Sequence, residues 1–126
     1  MPDPNMKILV VDDFAAMRSI IKNALNTIGY KNLEEANDGK AALEKLKAGS
    51  FDFLVTDWNM PNMNGLELIQ AIRADAKLAK LPVLMITTLG EPAKMVPAIK
   101  AGLNAYIKKP YALDELKAKI DQIFAR

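Results

Sequence analysis

Short runs of consecutive apolar residues alternate along the chain with stretches whose apolar positions recur every three or four residues. Lys7 to Val11 reads Lys-Ile-Leu-Val-Val, a β-branched run suited to a strand covered on both faces. Met17, Ile20, Ile21, Ala24, Leu25 and Ile28 then share one face of a helix that stops at Gly29. Asn32 to Ala36 is a poor strand by propensity and is assigned from its alternation. A helix is expected from about Asp38 to Ala48, ending at Gly49, followed by a strand over Phe51 to Thr56. Leu66, Ile69 and Ile72 mark a further helix face, and Val83 to Thr87 and Ala105 to Lys108 the fourth and fifth strands. Between those strands Pro92 suits the first turn of a helix, which Pro97 should shorten or kink. The last helix carries Asp114 and Glu115 in its first turn and Leu113, Leu116, Ile120 and Ile123 as its buried stripe.

Five βα units account for nearly the whole chain, so the expected architecture is α/β, a parallel sheet with helices on both faces. At 126 residues the chain has the size of one domain with one core, expected over residues 1–126 without a separate output domain. The longest apolar stretch, Leu81 to Ile86, is far too short to cross a bilayer. Residues 1–6 lack the basic-then-apolar pattern of a signal peptide, so a cytoplasmic location is expected. Seventeen Lys and Arg against fifteen Asp and Glu leave a net charge of +2, too weak a bias to indicate nucleic acid or a membrane surface as partner.

The chain has no cysteine and no histidine. Disulfides, thiolate and imidazole metal sites, and the usual nucleophile–histidine constellations are therefore excluded. Any chemistry must use carboxylates, hydroxyls, amines and backbone groups.

Ligands of open parallel sheets bind beyond the carboxyl ends of the strands. There the first strand ends in Asp12-Asp13, the third in Asp57, the fourth in Thr87-Thr88 and the fifth in Lys109-Pro110. Three crowded carboxylates repel one another, and a hard divalent cation with oxygen ligands, such as Mg²⁺, relieves that repulsion. Lys109 adds a compact positive charge, and Thr87 a hydroxyl able to donate to an anionic oxygen. Cation, amine and hydroxyl around one carboxylate make a site for a phosphoryl group. Each residue has a plainer role open to it: Asp12 or Asp13 as a helix cap, Asp57 as a solvated turn residue, Lys109 as a surface lysine. Their convergence from four strand ends outweighs those roles.

At these residues the sequence resembles the receiver domain of bacterial response regulators, and most closely the single-domain chemotaxis regulators. The resemblance runs from Met6 to Phe124. It rests on Leu9-Val10-Val11-Asp12-Asp13-Phe14, Thr56-Asp57-Trp58-Asn59-Met60-Pro61-Asn62-Met63-Asn64-Gly65, Leu81-Pro82-Val83-Leu84-Met85 and Lys109-Pro110. It implies a flavodoxin-like (βα)₅ fold with strand order 2-1-3-4-5, the order those regulators share. It implies that Asp57 accepts the phosphoryl group, and that Asp13, Asp57 and the carbonyl of Asn59 ligate Mg²⁺, with Asp12 acting directly or through water. Lys109 would pair with the phosphoryl oxygens, Thr87 would move to bond them, and Tyr106 would turn inward behind it. The Lys109-Pro110 bond would be cis. Asn59 and Leu89 would flank the approach of hydrolytic water, Leu89 standing where chemotaxis regulators commonly carry a glutamate and thereby lengthening the phosphoryl lifetime.

The donor implied is a phosphohistidine on a sensor histidine kinase, in keeping with a chain that has no histidine of its own. The implied protein is not a turnover enzyme but a phosphoacceptor that catalyses its own phosphorylation and slow dephosphorylation. Its expected partners are that kinase, a flagellar motor switch protein or another phospho-dependent target, and a phosphatase; a monomer is expected. A stand-alone regulator outside flagellar control, or a phosphate sink, is the alternative. The run Thr88 to Pro92, Lys108 and Pro97 depart from the chemotaxis pattern, all on the surface of the fourth helix and fifth strand. Lys108 also fits protection of an edge strand. A flavodoxin-type electron carrier is disfavoured because Asp12-Asp13 would repel a flavin phosphate. A haloacid-dehalogenase-type phosphatase is disfavoured because its first strand carries Asp-x-Asp, not two adjacent aspartates.

Overall fold

A computed structural model of the chain describes residues 3–58, 60, 63–87 and 92–125, and of 92–94 the backbone alone. Strands and helices alternate: β1 (Ile8–Val11), α1 (Ala15–Ile28), β2 (Leu33–Ala36), α2 (Gly39–Ala48), β3 (Phe53–Thr56), α3 (Gly65–Ala74), β4 (Val83–Thr87), α4 (Pro92–Ala101), β5 (Ala105–Lys108) and α5 (Leu113–Phe124). The strands form one parallel sheet in the order β2-β1-β3-β4-β5, the flavodoxin-like arrangement expected. The apolar runs of β1, β3 and β4 occupy its centre, buried at every position, as strands covered on both faces must be.

Alternate side chains of each central strand feed two cores. Ile8 and Val10 join Ile21 and Leu25 of α1 and Leu116, Ile120 and Ile123 of α5. Leu9 and Val11 join Ala42 and Leu46 of α2, Leu68, Ile69 and Ile72 of α3, and Met95 and Ala98 of α4. Two helices therefore cover one face and three the other, and the chain reverses its winding between β1 and β3. That reversal opens a crevice above the carboxyl ends of those strands.

Four expectations need adjustment. Ile20 and Leu113 lie off the buried stripes of their helices and are 53% and 40% exposed, while Leu68, absent from the expected face of α3, is fully buried. Pro97 does not shorten α4, which matches α2 and α3 at ten residues. A proline in so short a helix removes a single interior hydrogen bond, and Met95 and Ala98 on either side of it anchor the helix in the core. The poor strand β2 is an edge strand whose two central glutamates have cationic partners: Glu34 faces Lys7 at 3.0 Å, and Glu35 faces Arg18 and Lys22 at 2.6 and 2.7 Å. At the opposite edge, Lys108 is exposed on β5, as edge protection requires.

Candidate functional site

β1 and β3 run side by side with Val11 opposite Thr56, so the residues that follow them, Asp12 and Asp57, emerge together. The Asp57 amide donates to the Val11 carbonyl at 3.0 Å and the Asp12 amide to the Ala36 carbonyl at 3.3 Å, which extends the ladder to the base of the site. Neither Asp12 nor Asp13 is the N-cap of α1. The N-cap is Phe14, without a side-chain cap, and Asp12 Oδ1 accepts instead from the Phe14 amide at 3.0 Å. The plainer role for these two residues is therefore not the one they fill.

Asp12, Asp13 and Asp57 each offer a carboxylate oxygen within 4.8 Å of the others. Asp12 is fully buried, Asp13 exposed and Asp57 between the two. Lys109 reaches in from the end of β5, its Nζ 3.5 Å from Asp12 Oδ2 and 3.6 Å from Asp57 Oδ2. Among the described residues one amine thus pairs with two of three clustered carboxylates, and Asp12 Oδ2, though 3.5 Å from that amine, accepts no hydrogen bond. Burial pushes the Asp57 carboxyl above its ordinary value, and the Asp12 charge adds to the rise. Lys109 and the Trp58 amide, which donates to Asp57 Oδ1 at 2.7 Å, oppose it. A buried acidic oxygen without a donor, beside two further carboxylates, fits a hard oxygen-seeking cation.

Thr87 ends β4 fully buried, and its carbonyl accepts from the Lys109 amide at 2.8 Å. That bond ties the hydroxyl-bearing residue to the amine-bearing one. Tyr106 lies opposite Met85 in β5, half-buried against the same core that Met85 joins. The Lys109-Pro110 peptide is cis, as expected. Asn59 and Leu89, expected to supply a ligand carbonyl and to shield the site, lie outside the described residues.

The β3–α3 connection is held close by Gly65, whose amide donates to the Trp58 carbonyl at 2.8 Å. A Cβ there would stand 2.9 Å from the Asp57 carbonyl oxygen and 2.8 Å from Met85 Cε, so any side chain would displace the acceptor strand. A capping box at Asn64 and Glu67 fixes the start of α3 just beyond. One residue beside the site was not singled out in the sequence: Arg18, which donates to the Asp12 carbonyl at 2.7 Å. The hint available was the glutamate pair in β2, since charged residues in a strand of low propensity need cations nearby.

The family profile described as a response regulator receiver domain matches residues 8–121. Over 97% of its length the chain is 54% identical to the chemotaxis protein CheY-3 of Vibrio cholerae, covering 94% of that protein. It is 53% identical to the chemotaxis protein CheY of Pseudomonas aeruginosa, covering 96% of this chain and 98% of that one. Among solved structures, the chemotaxis response regulator CheY4 of Vibrio cholerae superposes with a TM-score of 0.87 at 32% identity, over 95% of this chain and 99% of that one. The receiver domain of the Francisella response regulator 1452 gives 0.85 at 30% identity, over 97% and 98%.

Proposed function

The chain belongs to the response regulator receiver family, in its chemotaxis CheY-type branch, and from that premise we propose that Asp57 is its phosphoacceptor and that Asp13 and Asp57 would hold Mg²⁺, with Asp12 acting directly or through water. The observation that carries this reading is the imbalance at the strand ends, where among the described residues three carboxylates gather around one amine and Asp12 Oδ2 accepts no hydrogen bond. Bound there, Mg²⁺ would neutralise the carboxylates and draw charge from the phosphoryl oxygens.

The chain's own residues do the rest. Asp57 is the nucleophile: a carboxylate oxygen forms a bond to phosphorus while the bond from phosphorus to the donor's imidazole nitrogen breaks, and the imidazole leaves with that electron pair. Transfer of this kind demands alignment and charge neutralisation more than proton transfer, which suits a site without histidine. Lys109 meets the incoming oxygens from the side of β5, and the Thr87 hydroxyl donates to them from the end of β4. Asn59 would contribute its carbonyl to the cation, and Leu89 would slow hydrolysis of the acyl phosphate. Phosphorylation adds about −1.5 to −2 charges at one point. Movement of Thr87 toward that charge vacates space that Tyr106 enters, which changes the α4-β5-α5 face.

The donor is the phosphohistidine of a sensor histidine kinase, and the target that reads the altered face is a flagellar motor switch protein. A phosphate sink outside flagellar control is the second reading, favoured by the charge that Lys108 exposes on that face. Capture of the chain by an immobilised motor switch protein, with and without beryllofluoride and Mg²⁺, separates the two. Capture at least tenfold stronger with the mimic, and reduced by Thr87→Ala, is expected. Equal, weak capture in both states would leave the sink.

A further inference from the structure

Arg18 lies in the first turns of α1, and its side chain is only 15% exposed. Its Nη1 donates to the carbonyl oxygen of Asp12 at 2.7 Å, and its Nε to Oε1 of Glu35 at 2.6 Å. The other oxygen of Glu35 accepts from Lys22 Nζ at 2.7 Å. These two cations hold the Glu35 carboxyl down to about 2, so the anchor is charged throughout the neutral range. Val10, two residues before Asp12, pairs with Glu35 in the sheet. The guanidinium therefore ties the edge strand to the turn that carries Asp12 and Asp13. That turn needs a tie, because its two carboxylates and that of Asp57 repel one another and Asp13 is exposed. A cation that demands near-octahedral oxygen geometry binds poorly to a turn free to open.

We propose that Arg18 is a positioning residue for the cation site: its planar fork, braced on Glu35, grips the Asp12 carbonyl and holds the Asp12-Asp13 turn in ligating geometry. The inference rests on the Mg²⁺ reading above and extends it to a residue that touches neither metal nor phosphoryl group.

The sign of the effect separates this role from simple charge. A positive charge beside a cation site repels the cation, so on Coulomb grounds alone its removal tightens Mg²⁺ binding. Loss of positioning weakens it. Mg²⁺ titration of the unphosphorylated protein, followed by calorimetry and by Trp58 emission, would compare the wild type with Arg18→Ala, Arg18→Lys and Lys22→Ala. Hydrogen exchange at the Phe14 amide, which donates to Asp12, would be measured without metal in each.

Arg18→Ala is expected to bind Mg²⁺ about tenfold more weakly, in the range of outer-shell losses. Arg18→Lys, which keeps the charge and loses the fork, should stay nearer to Arg18→Ala than to the wild type. Lys22→Ala removes one charge from the same carboxylate without touching Asp12, and should bind no more weakly than the wild type. The Phe14 amide should exchange faster only in the two Arg18 variants. Wild-type or tighter binding in Arg18→Ala, equal weakening in Lys22→Ala, or unchanged Phe14 exchange would each overturn the positioning role. Should Arg18→Ala melt too early to titrate, the Arg18→Lys and Lys22→Ala pair decides alone. A wild type that does not bind Mg²⁺ would overturn the cation reading itself, and this inference with it.

Discussion

At the amino ends of β4 and β5 the charged and polar groups are matched by partners, whereas at the carboxyl ends of β1 and β3 the described acidic groups outnumber theirs. At the amino ends, the Arg73 guanidinium donates to the carbonyls of Ala79, Leu81 and Gly102 and to Asn104 Oδ1, at 2.7 to 3.2 Å. Asn104 Oδ1 also accepts from the Val83 amide at 2.8 Å, so α3, β4 and the turn after α4 share one network. Lys77 Nζ closes the end of α2 through the Lys47 and Gly49 carbonyls. At the carboxyl ends, Asp12 and Asp57 share Lys109 with Asp13 beside them, and among the described residues Asp12 Oδ2 accepts no hydrogen bond. Both ends concentrate charge beside the sheet. One end spends it on joining elements; the other leaves acidic charge in excess, an arrangement that costs stability until a ligand arrives.

The difference can be broken from either side. Asp12→Asn should lower Mg²⁺ affinity by about 100-fold, the upper range for loss of a group at a metal site, while leaving the melting temperature unchanged or raised. Calorimetric titration and thermal unfolding of the same sample check both halves. A large loss of stability would show that Asp12 is structural and would erase the contrast.

Arg73→Ala should do the reverse. Loss of its hydrogen bonds to main-chain carbonyls should cost about 2 kcal/mol of unfolding free energy, read from the urea midpoint. Its Mg²⁺ affinity should stay within about twofold of the wild type, since additivity holds between distant sites.

The smallest expected effect sharpens the comparison on β2, beside the carboxyl end of β1, where Glu35 braces Arg18. The folded-state pKa of Glu35 lies at about 2, below its ordinary value of 4.5. Its stabilising contribution is therefore present above pH 4.5 and lost as pH falls through about 2. The carboxylate is 40% exposed, so screening limits that contribution to less than about 1 kcal/mol. Glu35→Gln should flatten the fall of stability with acid across that window, and high salt should narrow the gap to the wild type. Parallel curves for the two proteins would remove Glu35 from the acid response.

Most of this contrast was readable from residue types. The buried runs of β1, β3 and β4 and the glycine stops placed the sheet, and the polar residues following each strand placed the site. What the sequence concealed was geometric. Ile20 and Ile21 are equally apolar, and only the packing of α1 on the sheet decides that Ile21 is buried and Ile20 exposed. Pro97 carries a strong local signal that the contacts of Met95 and Ala98 override. Arg18 and Arg73 look like ordinary surface cations in the sequence, because the bond from Arg18 to Asp12 and most of those from Arg73 go to main-chain carbonyls, which have no sequence identity.

The central claim is that the acidic cluster holds a divalent cation with whose help Asp57 takes up a phosphoryl group. Intact-mass measurement after incubation with a small phosphodonor tests it most directly, in wild type and Asp57→Asn, each with Mg²⁺ and with a chelator. The account predicts the mass of one added phosphoryl group on the wild type with Mg²⁺ only, and none on Asp57→Asn under either condition. Equal phosphorylation of Asp57→Asn, or uptake by the wild type that is indifferent to Mg²⁺, would contradict it.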